Sequence, residues 1–285
     1  MNKMIIIAGV LVVTGILFFL ISSMAMDSLV KKEFQDLLKM DVKVDQKIIS
    51  EKDLNGLPPI VKNYIRGTGI IGKEIPKDVF LRQRGLFRTE VKGKWMPLSA
   101  TQLFNLKTRA FIWHGKISII PGITIQARDY YKEQKGNMHI KFAGSITMAN
   151  VKGPEIDQSA FIRFATEMVW YPWLFLDRNL VKWQAVDNKT AIAHVVDGPN
   201  KGAITCTFND KNELVQVAAK RYMKTKDGSR LLPWGGVCSH YRLFQGIKIP
   251  SRAKIYWDLP EGRFECIDLQ VTDAVYGMEV KKYID

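Results

Sequence analysis

Cysteine and histidine are scarce in this chain of 285 residues, and neither is arranged for chemistry. The three cysteines, Cys206, Cys238 and Cys266, form no CxxC pair, and an odd number cannot close a disulfide set. His114, His139, His194 and His240 stand apart, with no HxH or HExxH spacing, so no metal site is expected. Cys238-Ser239-His240 places a nucleophile and a base side by side, but neighbours along a strand rarely face each other, and no GxSxG elbow exists. Gly67, Gly69 and Gly72 satisfy GxGxxG, and the run to Lys73 comes close to a phosphate loop. A helix rather than a strand precedes it, however, Glu74 replaces the Ser/Thr, and Pro76 follows. No catalytic residue, metal or cofactor is called for. Internal repeats and low-complexity segments are absent as well.

What is present is apolar bulk and positive charge. An apolar fraction of 47% with seven Trp excludes a disordered chain. The net charge of +14 comes from Lys and Arg scattered along the chain. It reads as a solvated surface or as attraction to anionic headgroups, with no run suited to nucleic acid.

The charge distribution leaves one segment untouched. Met4–Met26 has no charged residue and as a helix would span about 34 Å, against about 30 Å of hydrocarbon. Residues 1–26 are therefore expected to be a single-pass transmembrane anchor, N-terminus inside, with the remaining chain on the extracytoplasmic side. The alternative is a cleaved signal peptide and a secreted domain, because Ser23-Met24-Ala25 loosely fits a small-x-small site. Residues 27–56 read as a helical extension, with Val30, Phe34, Leu37 and Leu38 on one side, followed by a polar linker at residues 41–55. That extension is expected to lift the domain off the membrane.

Residues 57–285 read as one domain. Pro58-Pro59 opens a short helix ending near Gly67. Two strand-rich blocks follow, roughly ten strands in all. Between them lies the one convincing amphipathic helix, 157–171, with Asp157 as N-cap, Phe161, Phe164, Ala165 and Met168 on the buried stripe, and Pro172 as stop. The expected fold is mainly β (α+β): a large curved antiparallel sheet, half-barrel-like, packed on this central helix.

An ordered set of motifs runs through the domain: Arg84-Gly85-x-Phe87-Arg88, Trp95-x-Pro97, Arg128-Asp129-x-Tyr131, Gly153-Pro154-Glu155 and Arg163-xxx-Glu167-xx-Trp170-x-Pro172. Pro233-Trp234-x-Gly236, Tyr241-Arg242, Gly246, Ile249-Pro250 and Trp257-x-Leu259-Pro260-x-Gly262 continue it. From about Leu57 to Tyr276 the chain resembles a bacterial family of uncharacterised, often membrane-anchored proteins, a domain of unknown function. The resemblance transfers no catalytic assignment. More loosely, the expected sheet is similar to the periplasmic lipoprotein-carrier half-barrels that shelter acyl chains, which is an analogy of fold.

The candidate ligand-binding residues are Arg163, Glu167, Arg128, Asp129, Trp170 and Trp234. A guanidinium and a carboxylate in an apolar setting either bind a headgroup or form a structural ion pair. The tryptophans either line a groove or fill a core. Three functions remain open: a binding module for a lipid or other apolar ligand, a hydrolase-like enzyme using a pocket carboxylate, and a structural component of an envelope complex.

Overall fold

Short turns dictate the topology. The computed structural model describes residues 2–40, 47–225 and 228–284; in its first helix, side chains are described from Met24 onward and at Ile7, Val10 and Thr14. Strands β1 (Asp78–Phe87), β2 (Met96–Asn105), β3 (Ala110–Ile120), β4 (Ile123–Lys132), β5 (Lys135–Phe142) and β6 (Ile146–Val151) form one antiparallel meander. A second runs through β7 (Val181–Ala185), β8 (Thr190–Asp197), β9 (Asn200–Phe208), β10 (Leu214–Thr225), β11 (Gly228–Phe244), β12 (Ile247–Leu259) and β13 (Gly262–Tyr276). Strand β1 pairs with β13 and fuses the two into a single 13-stranded sheet with β6 and β7 at its edges. The sheet has more strands than the expected ten because some turns lack the usual residues. Ala143 and Gly144 both take positive φ between β5 and β6 without an Asn-Gly or Asp-Gly signature.

A sheet this wide curls, and here its wings meet. The Tyr131 hydroxyl of β4 donates to Asp197 Oδ2 of β8 at 2.7 Å, and Asn200 Nδ2 of β9 donates to the Tyr131 oxygen at 3.1 Å. Arg109, in the β2–β3 turn, ties the same region to Asp177 and Asp197, each at 3.1 Å.

Two helices cover the concave face. Helix α1 (Asn2–Lys39) comes first in the chain, and α2 (Pro59–Thr68) and α3 (Pro154–Thr166) are the two that pack inside the curl. Helix α2 runs through Gly67 and ends one turn position later than expected, with Gly69 in the left-handed region at φ 78°. Helix α3 carries the chain from edge strand β6 towards edge strand β7, so it must cross between the wings. It begins earlier than expected, with Gly153 as N-cap and Pro154 at the first position. Asp157 instead accepts from the Gly136 amide at 2.8 Å and from Lys135 Nζ at 3.0 Å, fastening the first turn to β5. Gly136 has to be glycine there: an added Cβ would sit 2.6 Å from the Ile156 carbonyl oxygen. Beyond Thr166 the helix tightens into short 3-10 turns at Glu167–Trp170 and Pro172–Leu176.

The convex face is covered too. Val30, Phe34 and Leu37 of α1 pack on Phe80, Leu103, Ile112 and Val275. Strand β1 therefore buries both faces, with Val79 and Leu81 in the concave core and Phe80 against α1. Lys77 Nζ caps the Leu38 carbonyl at 2.7 Å, the end of a helix where a cation is favoured. This stretch of α1 lies on the sheet and does not stand off from it as a spacer, because its apolar stripe has a partner. The expected linker falls partly on residues 41–46, outside the described residues. Among the described residues no helix is long and apolar enough to cross a membrane. Most side chains of Met4–Met26, where the anchor is expected, lie outside the described residues.

Candidate ligand cavity and its charged network

The curl leaves a cavity of about 550 Å³ between α3 and the concave face. Its wall is mostly apolar, with Ile117, Ile125, Met138, Val217, Ile255 and Leu269 contributed by six different strands. Period-2 alternation selects them: every second residue of each strand faces inward.

A chain of polar side chains crosses this apolar space. Arg163 on α3 donates from Nη1 to Asp129 Oδ2 at 2.8 Å and from Nε to Glu167 Oε1 at 2.9 Å. Gln102 Nε2 donates to Glu167 Oε2 at 2.7 Å, and Gln83 Nε2 donates to Gln102 Oε1 at 3.1 Å. Trp113 Nε1 completes the chain by donating to Gln83 Oε1 at 2.9 Å. The Arg163 guanidinium also lies over the Trp113 ring, 4.8 Å from its centroid. Trp113 folds across Gly115, where an added Cβ would come within 2.2 Å of the indole. Burial raises the pKa of the Glu167 carboxyl, against the opposing pull of Arg163. The Arg163 guanidinium is held protonated by its two carboxylates despite burial.

Arg163, Glu167 and Asp129 are thus brought together, and Trp170 and Trp234 line the same cavity. Trp170 is anchored by its Nε1 on the Pro250 carbonyl at 3.2 Å. Arg128 is elsewhere. It neighbours Asp129 in β4, so it points to the convex face, where it meets Glu33 of α1 at 3.2 Å, Asn137 at 2.7 Å and the Tyr130 ring. Burial raises the Glu33 carboxyl, with Arg128 pulling it back. The pair Arg128-Asp129 therefore splits between two functions of the sheet, holding α1 outside and α3 inside.

Sequence reasoning missed Arg221, Trp113, Gln83 and Gln102. The signal for Arg221 was its phase: two and four residues from Ala219 and Val217 on one strand, it shares their inward face. Arg221 donates from Nε to the Ser159 carbonyl at 3.0 Å and lies 4.5 Å from the Trp234 ring centroid and 6.0 Å from that of Trp257. Burial brings its pKa down to about 10.

The cysteines are buried thiols. Cys238 and Cys266 line the cavity, and burial pushes them up to about 12 and about 11. His240 turns to the surface, where it meets Ser239 Oγ at 3.0 Å and not Cys238. Among the described residues no group of three or more His, Cys, Asp or Glu could hold a metal ion.

A wide curled antiparallel sheet wrapped round a helix and an apolar cavity defines a half-barrel cavity protein. Residues 47–269 match a family described as a family of unknown function, DUF6544, and the chain belongs to that family. No curated protein matches it. Among solved structures it is similar to a DUF1329 family protein from Desulfovibrio piger, with 13% identity, a TM-score of 0.44, and coverage of 79% of this chain and 95% of that one. A LolA superfamily protein from Nitrosomonas europaea is similar at 12% identity and TM-score 0.43, covering 79% and 96%. A putative outer membrane lipoprotein-sorting protein domain from Vibrio parahaemolyticus follows at 8% identity and TM-score 0.36, covering 73% and 90%.

Proposed function

We propose that this protein is a membrane-anchored binding module that holds a lipid or other apolar ligand in its cavity, on the extracytoplasmic side. The observation that carries the reading is the cavity itself: about 550 Å³ of mostly apolar-walled space inside the curl, within the range of small-molecule sites.

The path of α1 supports the anchored arrangement. Its Leu38 carbonyl meets Lys77 at one end of the sheet, and Asp27 meets Lys116 at 2.7 Å, well along β3 towards the β3–β4 turn. Followed back along the chain from Leu38 to Asp27, the helix therefore runs towards the end of the sheet that carries the β3–β4 and β5–β6 hairpins. Those hairpins expose Ile119, Ile120, Ile146 and Met148, and Lys92, Lys94 and Lys224 are exposed on loops and strand ends of the same side. Apolar tips with interspersed lysines suit an anionic lipid surface. Met148 and Lys224 also line the cavity, so a ligand drawn from a bilayer at that end would have a short path inward.

The alternative, an enzyme using Glu167, has one observation for it, the raised carboxyl pKa. Against it, both carboxylate oxygens are already engaged, by Arg163 and by Gln102.

The test is to extract the full chain from membranes in polymer-bounded native discs and compare its bound amphiphiles with those of empty discs by mass spectrometry. Delipidated protein is then titrated with the neutral dye N-phenyl-1-naphthylamine. One enriched amphiphile and saturable dye uptake are expected. No enrichment and no uptake would sink the reading.

A further inference from the structure

Three arginines reach the cavity, and their partners differ. Arg163 has two carboxylates. Arg88 donates from Nε to the Glu265 carbonyl and from Nη1 to the Val91 carbonyl, both at 2.6 Å, and lies over Trp95 and Phe264. Arg221 has one carbonyl partner, at Nε, and rests on the faces of Trp234 and Trp257. Among the described residues no carboxylate lies within ion-pair distance of it, and neither terminal nitrogen has a hydrogen-bond partner. Arg221 is half-buried and lines the cavity, with the two indoles against the plane of its guanidinium. The Nε–Ser159 bond and the two indoles fix the fork in place and leave its donor edge open to an acceptor.

We propose that Arg221 is the headgroup site of the cavity, and that the ligand is an amphiphile with an apolar chain and an oxyanion head, a long-chain carboxylate or phosphate monoester. Planar guanidinium donors match either head bidentately. The Asp129–Arg163–Glu167 triad carries a net negative charge when ionised. Arg163 is therefore already neutralised, with its Nε and one terminal nitrogen committed to those acids, which leaves Arg221 as the open fork while the apolar wall takes the chain. This assignment rests on the cavity's being a ligand site.

The experiment uses full-length, delipidated protein in discs of zwitterionic lipid, with N-phenyl-1-naphthylamine displaced by hexadecanoate, hexadecyl phosphate or hexadecanol. Wild-type protein should bind one or both anions roughly ten- to a hundredfold more tightly than the alcohol, the span expected for hydrogen bonds to a charged group. Whichever anion wins identifies the head. Arg221→Gln should bring the anions' affinity down to that of the alcohol measured on the same variant, and Arg221→Lys should keep part of the preference. Equal binding of all three chains by wild type overturns the headgroup site and leaves the apolar site standing. So does a preference that survives in Arg221→Gln. If neither dye nor chain enters wild-type protein, both readings fall. Should the glutamine variant not fold, Arg221→Lys decides, because an anion preference undiminished in it overturns the headgroup site.

Discussion

Arg163 Nη1 lies 2.8 Å from Asp129 Oδ2, and this contact joins α3, which crosses between the wings, to the wall of one of them. Because Glu167 flanks the same guanidinium, its removal would strand two carboxylates in a low-dielectric space. Arg163→Met should therefore lower unfolding free energy by about 3–5 kcal/mol, the range for breaking a buried pair. Urea denaturation reads this directly. Adding Asp129→Asn and Glu167→Gln to that variant should recover much of the loss, since no charge is then left unpaired. A loss below about 1 kcal/mol for the single variant would mean that water reaches both acids.

Asp78, at the start of β1, offers a pH test. It is buried, one oxygen has no partner among the described residues, and burial raises its pKa to about 6 from 3.8 despite Lys77. A folded-state pKa above the unfolded one means that the folded chain binds the proton more tightly. The resulting stability is present below the unfolded pKa and is lost as pH rises through the folded one. Relative to Asp78→Asn, wild-type protein should lose about 3 kcal/mol between about pH 4 and pH 7. Denaturant midpoints measured for both proteins across that window give the difference curve; a flat one would contradict the burial cost.

Filling the cavity should separate binding from folding. Ala127 faces inward opposite Gly115, and both dye and chain would lose space to a phenyl ring there. Ala127→Phe should weaken N-phenyl-1-naphthylamine uptake at least about tenfold while the protein still unfolds in one cooperative transition, because the new ring takes cavity space beside the Trp113 indole that lies over Gly115. Unchanged uptake with unchanged stability would place the dye outside the cavity.

Thiol labelling should report on opening of the wall. With Cys238 and Cys266 pushed up to about 12 and about 11 by burial, thiolate is scarce at pH 8. Modification by a disulfide reagent should run at least about a hundredfold slower than for an exposed cysteine, and become fast in urea. Fast native labelling would show that the strands open readily.

Much of the architecture was legible because it depends on local rules. Alternating strands, the Gly153-Pro154 break and the Phe161–Phe164–Met168 stripe pointed to a large antiparallel sheet on a helix. The exact strand number was not, since a turn such as Ala143-Gly144 takes its φ values from the pairing of its flanking strands. Nor was the place of residues 27–40: their apolar stripe is visible, but its partner on the convex face is assembled from strands far apart in the chain. Of the candidate site residues, Arg163, Glu167 and Asp129 do converge, while Arg128 faces the other way because adjacent strand residues must.

Arg221 marks the division most clearly. Local alternation already places it on the inward face with Val217, and the apolar character of that face follows from the same period. Which guanidinium would find carboxylates and which would not depends on the curl of the whole sheet. That curl sets α3 against β4 on one side and β10 on the other, giving Arg163 two acids in hydrogen-bond contact and Arg221 a carbonyl and two indoles. Sequence periodicity assigns a side to each residue; only the closure of the sheet assigns it a neighbour.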